Sequence, residues 1–72
     1  YAFPNPATEV LYWEYDKSIT ELKVYNIMGQ LVLSSAAEAQ QLDIQALNGG
    51  LYLVQFYAKS KVIKTSKILI QN

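Results

Sequence analysis

Ser35-Ala36-Ala37-Glu38-Ala39-Gln40-Gln41-Leu42-Asp43-Ile44-Gln45-Ala46-Leu47 is the stretch on which the fold class turns. By local propensity it is helical: Ser35 and Glu38 have the spacing of a capping box, Ala and Gln favour helix, and Asn48-Gly49 offers a stop. By pattern it is extended. Leu42 and Ile44 alternate with Gln41, Asp43 and Gln45, and on a helix Ile44 falls outside the face made by Ala39, Leu42 and Ala46. These thirteen residues alone leave both readings open.

On either side of this stretch the chain reads as β-structure. Residues 10–15, 21–26, 31–35, 51–58 and 61–71 are rich in Val, Ile, Leu, Tyr and Trp at strand-like lengths. Leu22 and Val24 alternate with Glu21, Lys23 and Tyr25, which predicts a strand with one wet face. Around Tyr52, Val54 and Phe56 both faces are largely apolar, the pattern of a strand in mid-sheet covered on both sides. Lysines recur through the last segment, and lysine commonly guards an exposed sheet edge.

The punctuation fits such strands. In Asn26-Ile27-Met28-Gly29-Gln30, Gly29 can take the positive φ that closes a short hairpin with a bulge. Pro4 and Pro6 flank Asn5, hold φ near −65° and lack an N–H, so this part runs extended with little capacity for pairing. Lys59-Ser60 is a polar break without glycine.

The 72 residues suffice for one domain; 51% are hydrophobic and only 17% charged, a globular composition. With no initial Met and no leader, residues 1–72 read as a piece of a longer precursor. Six Lys and no Arg face six Asp plus Glu, so no net field draws in nucleic acid or anionic lipid. Apolar runs such as Leu31-Val32-Leu33 and Ile68-Leu69-Ile70 are far short of the roughly 20 residues of a membrane-spanning helix, so no transmembrane segment is expected.

Little catalytic chemistry is available. The chain has no His and no Cys, hence neither the common general base nor a thiolate nor the usual transition-metal ligands. Glu14 and Asp16, two apart, would share a strand face, and read best as solvated charges at a strand end. No run of Asp and Asn with Gly has the spacing of a calcium loop, and Gly49-Gly50 lacks the following Lys of a phosphate loop. We therefore expect no catalytic residue, metal or cofactor. Two binding readings stay beside this. Tyr12, Trp13, Tyr15, Tyr25 and Tyr57 could stack on sugars if exposed together, although aromatic residues in so short a chain belong mainly to the core. Lys59, Lys61, Lys64 and Lys67 could form an anion stripe, although solvation explains them as well.

Four blocks in order carry a resemblance: Phe3-Pro4-Asn5-Pro6-Ala7, Val24-Tyr25-Asn26-Ile27-Met28-Gly29-Gln30-Leu31-Val32, Leu47-Asn48-Gly49-Gly50-Leu51-Tyr52-Leu53-Val54 and Lys67-Ile68-Leu69-Ile70. Over essentially its whole length the chain resembles the type A C-terminal sorting domain of type IX (Por) secretion system cargo. The resemblance implies an all-β, immunoglobulin-like antiparallel β-sandwich of about seven strands, and it tips the opening stretch towards a strand near residues 41–44. It implies a non-catalytic signal that takes an attached N-terminal cargo through periplasm and outer membrane to the cell surface or beyond, in a Bacteroidetes-type bacterium. The implied partners are a translocon, a shuttle protein and a sortase-like peptidase that removes the signal.

Position by position, Pro4, Asn5 and Pro6 match the first motif, Asn26, Gly29 and Gln30 the hairpin motif, Gly50 and Tyr52 the later strand motif, and Lys67 the terminal lysine. Most of these have structural roles, so direct recognition falls to Lys67, Ile68, Leu69 and Ile70, with strand addition as the physical mode. The missing glycine at Lys59-Ser60 departs from the family's usual turn. A cell-surface carbohydrate-binding or adhesive module is the alternative on the same fold, and self-association a third possibility.

Overall fold

A computed structural model of the chain describes residues 2–3, 9–14 and 17–71, with side chains from residue 9 onward. Pro4, Asn5, Pro6, Tyr15 and Asp16 lie outside the described residues, and with them the first motif and half of the Glu14–Asp16 pair.

Among the described residues the chain forms seven strands: β1 (Ala2–Phe3), β2 (Val10–Trp13), β3 (Glu21–Tyr25), β4 (Leu31–Ala36), β5 (Gln41–Asp43), β6 (Gly50–Ala58) and β7 (Lys61–Ile70). They make a three-stranded sheet in the order β1-β2-β5 and a four-stranded sheet in the order β4-β3-β6-β7, with every pairing antiparallel. The chain changes sheet between β2 and β3, between β4 and β5, and again between β5 and β6. This is an immunoglobulin-like sandwich. β6 lies in mid-sheet and β7 at its outside, where the lysine pattern places it.

Strand alternation builds the core. Leu11 and Trp13 of β2 face Leu22 and Val24 of β3, Tyr52, Val54 and Phe56 of β6, and Ile68 and Ile70 of β7, with Ile19, Ala37 and Ile44 closing the ends. Phe56, Leu22 and Val24 have no exposed surface, and each such side chain contributes about 1.5–3 kcal/mol of burial.

Residues 35–47 contain no α-helix. Ala37–Ala39 forms one 3₁₀ turn without a side-chain cap, and Ser35 Oγ donates to its neighbour's carbonyl, Ala36 O, at 3.1 Å instead of closing a capping box. Trp13 explains why: its indole Nε1–H donates to Ala37 O at 2.7 Å, and its main-chain N–H donates to Gln40 O at 3.3 Å. Gln40 turns the chain with φ 61°, after which Leu42 pairs with Leu11. Asp43 Oδ1 then accepts from Gln45 N–H at 2.9 Å, and Ile44 buries completely.

The double coverage expected for β6 is not found. Tyr52, Val54 and Phe56 are buried, but Leu53, Gln55 and Tyr57 are half-buried and Leu51 is 45% exposed. Nothing among the described residues packs a second layer on that face.

Candidate functional site

The later motifs converge at one end of the four-stranded sheet, where the β3–β4 turn, the start of β6 and the end of β7 lie together. Asn26 organises the turn. Its Oδ1 accepts from Met28 N–H and Gln30 N–H, each at 3.0 Å, and its Nδ2 donates to Gln30 Oε1 at 2.9 Å. Gly29, at φ 82°, supplies the left-handed residue, and a register shift between Val24 and Tyr25 supplies the bulge. Ile27 and Met28 at the tip are 78% and 80% exposed.

Tyr52 is structural. Near the start of β6, its Oη–H donates to Asn48 O at 2.8 Å, four residues upstream, while its ring is buried. This is the tyrosine corner of immunoglobulin-like sandwiches. It ties the β5–β6 connection to the core. Gly50, at φ 151°, makes the bend into β6 and pairs with Ile70.

β7 divides its four motif residues by alternation. Ile68 pairs with Tyr52 and Ile70 with Gly50, each only 1% exposed, so both are core residues. Lys67 pairs with Leu53 and Leu69 with Leu51, and this pair of residues is exposed on the outer face, Leu69 at 40%. The outer face at this end therefore shows Leu31, Leu51, Leu69 and Lys67, with Tyr25 and Leu53 half-buried between them. The apolar outer row of β6 was visible in the sequence, where two-sided apolarity also fits a strand with an open apolar face. The exposed tip, Ile27-Met28, carried no such signal.

Towards the other end of β7, residues 61–65 are exposed. Phe56 pairs with Lys64 and Tyr57 with Val62, so Ile63 is the extra residue of a bulge. Lys59 and Ser60 close the β6–β7 hairpin at φ 51° and 71°, the type I′ pattern that glycine or asparagine usually fills. Lys59, Lys61, Lys64 and Lys67 are all exposed but do not form one row: Lys67 shares the outer face, and Lys61 and Lys64 lie opposite Ala58 and Phe56.

Among the described residues the aromatic side chains do not assemble into a sugar platform, and Tyr15 lies outside those residues. Trp13 is buried and Tyr12 exposed, both on β2 of the three-stranded sheet, whereas Tyr25 and Tyr57 belong to the four-stranded one. Tyr25 and Tyr57 hydrogen-bond through their hydroxyls at 3.1 Å, Tyr57 Oη–H also reaches Gln55 Oε1 at 2.9 Å, and Lys23 Nζ sits 4.9 Å from the Tyr57 ring centre. The hydrogen bond with Tyr25, then partial burial, then the nearby Tyr25 and Glu21 charges raise the pKa of Tyr57 above the ordinary phenol value. A shallow depression lined by Lys17, Ile19, Thr20, Ala36 and Glu38 lies at the far end of the sheet. Among the described residues no group of His, Cys, Asp or Glu gathers as metal ligands, and no helix is long and apolar enough to cross a membrane.

Against known families, the chain matches the secretion system C-terminal sorting domain over residues 1–71. The chain belongs to that family. It is a type IX secretion sorting signal, and proteins that carry this domain are exported to the cell surface or the extracellular space. No curated protein and no solved structure matches the chain. In the sorting domain the hairpin motif is thus a rigid turn, the later strand motif a tyrosine corner, and the terminal motif a strand that is half core and half surface.

Proposed function

We propose that residues 1–72 are a single, non-catalytic C-terminal domain of a larger secreted precursor, and that the export machinery reads it through the outer face of β6 and β7. Lys67, Leu69 and Leu51 supply the contact, while Ile68 and Ile70 hold them in place. The observation that carries this reading is the alternation of exposed Lys67 and Leu69 with buried Ile68 and Ile70. An apolar row beside a lysine, on a face that no other layer covers among the described residues, is what a partner surface would bury. A translocon and shuttle protein engage the domain with its cargo joined at the N-terminal side, and a sortase-like peptidase then removes it.

The test fuses residues 1–72 to a periplasmic reporter in a strain with and without the secretion system. Leu69→Glu and Lys67→Glu should lose surface delivery while the purified domain melts as the parent does. Ile68→Ala serves as the folding control, with a stability loss of about 2–5 kcal/mol. Normal delivery of a folded Leu69→Glu, Lys67→Glu double variant would refute the assignment of this face.

A further inference from the structure

We propose that Asn48-Gly49 is a site of spontaneous deamidation whose isoaspartyl product opens the tyrosine corner. This goes beyond the export reading and does not depend on it. The reaction needs an asparagine carboxamide that is free to turn, an unhindered following N–H, and water. Asn48 and Gly49 are both exposed, and none of the described hydrogen bonds engages the Asn48 carboxamide or the Gly49 N–H. Glycine has no side chain to obstruct the approach.

The steps balance without a further reagent. The Gly49 nitrogen attacks Asn48 Cγ and loses its proton, the Cγ–Nδ2 bond breaks, and ammonia leaves to give a five-membered succinimide. Water then opens the ring at either carbonyl. One opening gives aspartate with the backbone intact. The other gives isoaspartate, in which the chain runs through Cγ and the former main-chain carbonyl becomes a free carboxylate.

That main-chain carbonyl is the acceptor for Tyr52 Oη–H at 2.8 Å. The isoaspartyl opening therefore lengthens the backbone immediately before Gly50 and β6, and it takes the Tyr52 acceptor out of the main chain. The aspartyl opening leaves the acceptor where it was. Either one moves the formal charge from zero to negative.

The same molecule holds a control. Asn26 is followed by β-branched Ile27, and its carboxamide makes three hydrogen bonds, to Met28, Gln30 N–H and Gln30 Oε1. In Asn5-Pro6 the following residue has no N–H to attack with. Of these three asparagines, Asn48 alone meets every requirement.

The experiment ages the purified 72-residue chain at 37 °C in mildly alkaline buffer, follows the acidic species by isoelectric focusing, and maps aspartate and isoaspartate by mass spectrometry. The expected result is modification at Asn48 with Asn26 intact, and no acidic species at that rate from Asn48→Ser or Asn48→Gln. The isoaspartyl fraction should melt lower by about 4–8 °C, the size of one lost hydrogen bond in a domain of this length. Asn48→Asp should melt as the parent does. Ageing of Tyr52→Phe should lower its Tm much less than ageing lowers the parent's, because the bond is already gone. Equal modification at Asn26 and Asn48, or unchanged ageing in Asn48→Ser, overturns the site. An isoaspartyl fraction with the parent's Tm overturns its link to the corner.

Discussion

Replacing Trp13 with Phe tests the contact that turns residues 35–47 away from a helix. The indole Nε1–H donates to Ala37 O at 2.7 Å in a buried setting, and Phe offers no donor there. Losing this bond from a poorly solvated carbonyl costs about 1–2 kcal/mol, partly offset because Ala37 O also accepts from Gln40 N–H at 3.3 Å. The smaller ring leaves a void beside a side chain that is 2% exposed, adding about 1–2 kcal/mol. The total, about 2–4 kcal/mol, is a large share of the roughly 4–11 kcal/mol expected for a domain of this length. Urea unfolding followed by far-ultraviolet circular dichroism measures it, since the variant has no tryptophan to report by fluorescence. The indole N–H proton of the parent should also exchange slowly with solvent. A loss below about 0.5 kcal/mol, or a rapidly exchanging indole proton, would refute the anchoring role.

Three further outcomes are expected. Asn26→Ala removes two capped N–H groups and one side-chain bond from an exposed turn and should cost about 1–2 kcal/mol in urea unfolding, whereas Asn26→Asp, which keeps the acceptor, should cost less. Ser60→Gly relieves a left-handed non-glycine residue at φ 71° and should stabilise by about 0.5–1 kcal/mol, raising Tm by about 2–8 °C in calorimetry. Because the folded pKa of Tyr57 is raised, its contribution is fully present below the unfolded phenol value of 10.0 and is lost as pH climbs through the folded value. Melting temperature against pH should therefore fall more steeply above that point in the parent than in Tyr57→Phe, and the phenolate absorbance that Tyr57→Phe removes should be a part that titrates above the ordinary phenol value.

Much of the sandwich was legible because its signals are local. The bulged β3–β4 turn follows from Asn26 and Gly29, and β3 from the alternation of Leu22 and Val24 with Lys23. At residues 35–47 the helical signal was real but incomplete. Ala37, Glu38 and Ala39 do begin a turn, and an indole from a strand distant in sequence ends it after one. On β6 the pattern recorded apolar residues on both faces faithfully. It did not say whether a second layer lay over them, since a covered face and a partner-binding face have the same composition.

Recognition was legible only as a segment. Lys67-Ile68-Leu69-Ile70 stood out as a block, yet which two of its residues face outward depends on the register with β6, where Leu51 meets Leu69 and Tyr52 meets Ile68. Register comes from long-range pairing, and a slip of one residue would exchange core and surface. The packing of Tyr52 in the core was legible from its apolar row, but its hydroxyl partner, Asn48 O, was not, since it depends on the path of the chain between β5 and β6 as it changes sheet.

From the amino-acid order alone come the all-β class, the turn at residues 26–30, the guarded outer strand and the family, all properties of neighbours along the chain or of motif spacing. Tertiary structure alone decided the fate of residues 35–47, the tyrosine corner, and the division of β7 into core and surface. The physical reason is common to all three: each depends on a hydrogen bond or a burial whose free energy exists only once two sheets have closed on one another, even where, as between Tyr52 and Asn48, the bonded groups are near in sequence.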